Sequence, residues 1–123
     1  MLPVRGEPVT RLALEAAAVV LLLANGVEVR IEGMLALRSA DGTRVELDPG
    51  EDPDLAPLLA LRRATVVGGT AYDDGRLELV VAGGALLEVP VDPSYEAWQL
   101  VGPGGVRLVS LPGGELAVWE GVA

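Results

Sequence analysis

The chain has 123 residues, half of them hydrophobic, and carries 18 acidic residues against nine arginines for a net charge of −9. This hydrophobic content excludes a disordered chain, the length suits one domain spanning residues 1–123, and the absence of cysteine excludes a disulfide framework. The negative charge argues against nucleic acid and against an anionic membrane surface as partners. One explanation of the charge is simple solubility, and the other is a basic protein partner.

The apolar stretch at residues 12–24 can be interpreted in two ways. Its alanines favour a helix. Its valines and the following Asn25-Gly26 favour one arm of a β-hairpin instead. We predict two strands with a break near Ala16.

The same stretch has the outline of a signal peptide, because Arg5 and Arg11 precede it. Glu15 interrupts the apolar run, however, and no clear small-residue cleavage site follows. The run is also too short to span a bilayer. We therefore expect a soluble, cytoplasmic protein.

Glycine-containing dipeptides divide the rest of the chain into short segments. They supply the positive φ that tight hairpins require, and they lie at 25–26, 41–42, 74–75, 83–84, 104–105 and 113–114. Between them, hydrophobic residues occupy every second position at 27–31, 44–47 and 77–81, which is typical of half-buried strands. The sequence predicts a mainly β fold, with antiparallel meanders forming a sandwich or a partly open barrel.

One short helix is predicted near residues 54–62. Asp54 can accept from free amides of the first turn, and Pro57 falls in that turn, where its missing N–H is tolerated. The following Leu55, Leu58 and Leu59 are spaced to form an apolar stripe.

A weak internal repeat relates two parts of the chain. Leu21–Val27 matches Leu79–Ala85, and Ala40–Val45 matches Pro103–Leu108. One interpretation is a duplication, with residues 9–50 and 67–113 forming related meanders about a pseudo-twofold axis. The other is that any two hairpins share such a pattern.

No residue set is equipped for catalysis. Nucleophilic catalysis needs a base, and the sequence has no histidine, cysteine or lysine to serve beside its serines. The acidic run from Asp48 through Asp52 to Asp54 does not have the spacing of an EF-hand, and helix capping explains it. We expect no enzymatic activity, no cofactor and no metal site.

The segment Tyr95-Glu96-Ala97-Trp98 holds half of the aromatic residues of the chain. An exposed ring beside a carboxylate is typical of a protein-binding hot spot, which makes Tyr95, Glu96 and Trp98 the candidate binding residues. In the alternative interpretation, one ring fills the core and the other covers a sheet edge.

This segment and the tail Leu111-Pro-Gly-Gly-Glu-Leu-Ala-Val-Trp119 together resemble an uncharacterised family of small proteins from high-GC bacteria. Its members share a hairpin with an Asp-Gly or Gly-Gly turn, a Leu-rich helix and both motifs. The family has no assigned activity, so the resemblance transfers no functional residue. In its small size and acidity the chain is also similar to immunity proteins, which neutralise secreted toxins.

Two functions follow as hypotheses. The first is a non-enzymatic protein-binding module, of the immunity-protein kind, that neutralises a basic toxin. The second is a structural or self-associating β protein whose sheet edges pair with copies of itself.

Overall fold

The structure is a computed structural model that describes residues 2–51 and 54–120. Within these residues it has eleven strands, joined mostly by tight turns. Their bounds are β1 Glu7–Glu15, β2 Ala18–Leu23, β3 Glu28–Ile31, β4 Leu35–Arg38, β5 Arg44–Leu47, β6 Thr65–Ala71, β7 Leu77–Val81, β8 Ala85–Val89, β9 Trp98–Val101, β10 Arg107–Ser110 and β11 Leu116–Trp119.

All eleven strands belong to one antiparallel sheet that does not close on itself. Their order is β11-β10-β9-β3-β2-β1-β6-β7-β8-β4-β5. The prediction of a mainly β, antiparallel fold is confirmed. The helices of the described residues are short 3₁₀ segments: Pro49–Glu51, Ala56–Leu61, Pro103–Gly105 and Pro112–Gly114. In this part of the chain none is long and apolar enough to cross a bilayer.

Residues 12–24 form two strands, as predicted. The break falls at Ala16 and Ala17, which join β1 to β2 with φ of 44° and 66°. Positive φ at both central residues is the signature of a type I′ turn, whose twist matches that of the flanking strands. Alanine adopts this conformation only at a cost in free energy, because its Cβ crowds the backbone.

The predicted helix exists, but it is a 3₁₀ helix rather than an α-helix. Asp54 accepts a 3.0 Å hydrogen bond from the Ala56 amide, close to its predicted capping role. Three residues per turn place Leu58 and Leu61 in the core, whereas Leu59 is 54% exposed. The predicted stripe was therefore wrong at Leu59, because it assumed α-helical spacing.

The strand order has an internal symmetry. Without β11 it reads β10-β9-β3-β2-β1-β6-β7-β8-β4-β5, and exchanging each of β1–β5 with its counterpart in β6–β10 gives the same order read from the other end. The last two strands of each half join the strands of the other half, because β4 pairs with β8 and β9 pairs with β3. An internal duplication would produce this topology.

The strand registers follow the same relationship. The predicted alignment of Ala40–Val45 with Pro103–Leu108 places β4 on β9 and β5 on β10 without offset. Corresponding cross-strand pairs are Val29–Leu100 and Leu87–Leu37. The superposition of the two predicted halves, residues 9–50 and 67–113, stays a prediction.

Both halves contribute to a single hydrophobic core. Buried leucines and valines from strands of each half form one cluster, and Trp98 is among its largest fully buried side chains. The turn between β6 and β7 packs onto β9 and β10 through buried Gly75. An added Cβ on Gly75 would lie 2.6 Å from the Gly114 carbonyl oxygen, so only glycine allows this close approach.

Candidate functional site

The structure separates the three predicted binding residues. Tyr95 is 69% exposed and Glu96 is exposed, but Trp98 is only 1% exposed. Tyr95 is the last residue of a bend and Glu96 follows it, so both precede the start of β9 at Trp98. Strand alternation therefore does not extend back to Tyr95, and neighbouring Ala97 and Trp98 are both buried.

Trp98 is positioned as a core residue. Its indole Nε1 donates a 2.8 Å hydrogen bond to the Gly75 carbonyl oxygen, which also accepts a 2.8 Å hydrogen bond from the Ser110 hydroxyl. The indole N–H thus has a hydrogen-bond acceptor inside the protein. Trp98 therefore belongs to the hydrophobic core and not to an exposed binding surface.

Asp92 holds the backbone around Tyr95. Its Oδ1 accepts hydrogen bonds from the amides of Ser94, at 2.8 Å, and Tyr95, at 3.0 Å. The Asp92 carbonyl oxygen also accepts from the Gly113 amide at 2.8 Å. Asp and Ser commonly build such turns because a short polar side chain can bond to free amides, and Pro does so because its ring fixes φ. This local network fixes the backbone that presents the exposed ring.

Ala97 ties the same segment to the end of β3. Its carbonyl oxygen accepts from the Glu32 and Gly33 amides, both at 2.9 Å. A Cβ on Gly33 would approach Ala97 to 3.3–3.5 Å, so the two chains lie in close contact. Glu32 is thereby brought to the same surface as Tyr95.

A cleft of about 380 Å³ opens on this surface. Tyr95 lines it, together with the strained β1–β2 turn and four carboxylates. The full lining is Ala16, Ala17, Glu32, Gly33, Met34, Asp48, Gly50, Glu51, Asp92 and Tyr95. Glu32 also forms an ion pair with Arg30, at 3.4 Å, but no arginine lines the cleft itself. The cleft is therefore strongly electronegative.

This arrangement suits recognition of a cation. Carboxylates accept charge-assisted hydrogen bonds from guanidinium and ammonium groups. The Tyr95 ring can stack on a guanidinium, and the side chain of Met34, 38% exposed, adds apolar contact. Glu96 is exposed next to Tyr95 and adds charge, although it does not line the cleft.

Sequence reasoning missed most of the cleft. The sequence predicts a capping role for Asp48 and Glu51, and it does not predict Asp92 or Met34 as site residues. Asp92-Pro-Ser-Tyr95 did carry a signal, since an Asp two residues before a Ser is a common turn former. The approach of the β1–β2 turn to Asp48 had no local signal, because it depends on long-range packing.

The acidic residues do not assemble a metal centre in the part of the chain that the structure describes. No three carboxylates there are placed so that they could hold one metal ion, and Asp52 of the predicted acidic run lies outside the described residues. Asp48 instead accepts a 3.0 Å hydrogen bond from the Gly50 amide, as expected of a turn-capping residue. The predicted absence of metal and cofactor stays a prediction.

A second opening, of about 540 Å³, lies between β6 and the β10–β11 hairpin. Its lining is mostly apolar and includes Val118 and Trp119, which are 54% and 51% exposed. Arg107 lies 5.4 Å from the centre of the Trp119 ring and covers part of it. This groove offers contact area but few polar groups, so it does not resemble a small-molecule site.

Comparison with curated proteins found no match, and neither did comparison with solved structures. A family model does match residues 1–120, almost the whole chain, and its description is "Family of unknown function (DUF6188)". The prediction that the chain represents an uncharacterised family is confirmed. This chain, with its open eleven-stranded sheet and acidic cleft, belongs to the DUF6188 family.

Proposed function

We propose that the chain is a non-enzymatic protein-binding module of the bacterial cytoplasm, and that the acidic cleft beside Tyr95 holds a basic segment of its partner. The similarity of the chain to immunity proteins in its small size and acidity supports a toxin, such as a nuclease, as that partner. The observation that carries the proposal is an exposed aromatic ring on a cleft lined by four carboxylates and no arginine.

Electrostatics support a basic partner. The net charge of −9 makes the surface field negative over much of the protein, and the cleft concentrates that field. Such a field raises the association rate for a positively charged protein and lowers it for nucleic acid. The rate should therefore fall steeply as salt screens the charges.

Residue exposure supports a binding role for Tyr95. A tyrosine that is 69% exposed contributes little to the core, yet Asp92 accepts hydrogen bonds from its amide and from that of Ser94. A backbone held in place before binding loses little conformational entropy when a partner arrives. Tyrosine is also among the residues that dominate binding energy at protein interfaces.

The proposal can be tested by photo-crosslinking in the native host. A benzophenone amino acid replaces Tyr95, and in a matched control it replaces Glu28 on the exposed face of β3. We expect position 95 to give a discrete adduct with a basic protein, identified by mass spectrometry, and position 28 to give none.

Two results would contradict the proposal. One is the absence of any adduct at position 95, and the other is the same set of adducts from both positions. Suppression of toxicity when the captured protein is co-expressed with the chain would support the immunity role. A captured protein without toxicity would support binding but remove that role.

The second candidate function is self-association. It is favoured by one observation: β5 lies at the end of the sheet, and no strand of the described residues pairs with its outer edge.

A further inference from the structure

The two halves of the sheet end differently. In the second half, β10 carries β11 on its outer side, so the counterpart of β5 is covered. In the first half, the chain leaves β5 through the 3₁₀ segment Pro49–Glu51 and forms the 3₁₀ helix Ala56–Leu61 further on. Among the described residues no strand pairs with the outer side of β5. By the symmetry of the fold, this side is where one more strand fits.

The backbone of β5 presents free groups on that side. The Ser39 amide donates to the Thr43 carbonyl oxygen at 2.8 Å, which makes this the first hydrogen-bonded pair of the β4–β5 hairpin. Hydrogen-bonded and non-hydrogen-bonded pairs alternate along an antiparallel ladder. Val45 and Leu47 therefore bond to β4, and the N–H and C=O of Arg44 and Glu46 point outward.

We propose that a second copy of this chain pairs with this edge, β5 against β5, in an antiparallel dimer. A twofold axis at Val45 places Arg44 of each copy directly opposite Glu46 of the other. Both residues carry their outward backbone groups at these positions, so they can form hydrogen-bonded pairs. Shifting the axis would place Arg44 opposite Arg44, or Glu46 opposite Glu46, and like charges directly opposite are destabilising.

The charges thus select both the partner and the register. Arg44 and Glu46 are exposed and already form an ion pair on one face of the strand. Charged residues on an edge strand normally prevent pairing with other chains. Only a strand with the complementary order of charges relieves that repulsion, and a second copy of β5 running antiparallel has this order.

The dimer can be tested by sedimentation velocity of the full chain over a range of concentrations. Arg44→Glu alone, or Glu46→Arg alone, puts like charges opposite each other and should raise the dissociation constant roughly tenfold. The double variant R44E/E46R restores complementary pairs and should restore the dimer. Circular dichroism checks that each variant is folded.

A matched pair of proline variants identifies the edge. Glu46→Pro removes an N–H that points outward on β5, and Val118→Pro removes the corresponding outward N–H on β11. We expect E46P to be a folded monomer and V118P to remain a dimer. A wild-type chain that stays monomeric at all concentrations would overturn the proposal. So would a dimer that survives E46P or that the double variant fails to restore.

Discussion

Gly6 and Arg63 occupy equivalent positions on the two sides of the central β1–β6 pair. The Gly6 amide donates to the Val66 carbonyl oxygen at 2.7 Å, and the Arg63 amide donates to the Val9 carbonyl oxygen at 2.8 Å. Their φ values are 78° and 66°, so both residues have left-handed backbone. The correspondence between the two halves therefore extends from strand order to individual backbone conformations.

Arg63 and Gly6 should respond to substitution in opposite directions. Left-handed backbone costs a non-glycine residue about 1–2 kcal/mol, partly offset by the freedom that glycine adds to the unfolded chain. Arg63→Gly should raise the free energy of unfolding by up to about 1 kcal/mol. Gly6→Ala should lower it by about 1 kcal/mol through backbone strain, because an added Cβ meets no atom within 4 Å. Urea denaturation of both variants checks the signs, and destabilisation by Arg63→Gly would contradict this interpretation.

The β1–β2 turn offers a second stabilising change. Asn-Gly is the preferred pair for a type I′ turn, whereas this chain has Ala16 and Ala17 with φ of 44° and 66°. The double variant A16N/A17G should raise the free energy of unfolding by about 1 kcal/mol. Thermal denaturation measures this effect. The unrelated turn at Asp41-Gly42 already has its preferred residues, so the conservative D41N should leave the midpoint unchanged.

Trp98 should be essential for stability, unlike Tyr95. Trp98→Ala removes a buried ring and the hydrogen bond to Gly75, and should cost about 3–5 kcal/mol. Ser110→Ala leaves Trp98 as a donor to the same carbonyl and should cost about 1 kcal/mol. Tyr95→Ala should have little effect on unfolding, because its ring is largely exposed. A Trp98→Ala protein as stable as the wild type would contradict the core assignment.

Tyr72 should titrate at higher pH than an ordinary tyrosine. Its hydroxyl donates a 2.8 Å hydrogen bond to Glu78 Oε2, which stabilises the protonated form and raises the pKa of Tyr72. The contribution of this hydrogen bond to the free energy of unfolding is therefore present below the pKa of Tyr72 in the unfolded state. It is lost as pH rises through the pKa of Tyr72 in the folded state. Ultraviolet titration in a Tyr95→Phe background isolates Tyr72, and Glu78→Gln should lower its pKa. An unchanged titration in E78Q would rule out this cause.

Much of the fold could be predicted from local signals. Dipeptides such as Asn25-Gly26 and Asp74-Gly75 require positive φ, and both glycines have it, at 90° and 93°. The alternation at 27–31 and 77–81 correctly indicated strands because each has one buried face. The pairing of β4 with β8 and of β9 with β3 could not be predicted, because it joins segments that are distant in the sequence.

The candidate site was predicted only in part. Tyr95 and Glu96 are on the surface, but Trp98 next to them is in the core, since the strand that sets the alternation begins only at Trp98. The carboxylates of Asp48 and Asp92 come together with Tyr95 only through folding. Each carboxylate also has a role in a local turn, so the sequence around it does not indicate a shared cleft.

The most direct test of the binding proposal is quantitative capture from a native-host lysate on the immobilised full chain. Wild type and the control Glu28→Arg should retain the same basic protein in equal amounts, and retention should fall as salt is raised. Tyr95→Ala and Glu96→Arg should retain much less of it while unfolding at the wild-type temperature. Equal retention by all four proteins, or no specific retention by the wild type, would contradict the assignment of the cleft beside Tyr95 as a protein-binding site.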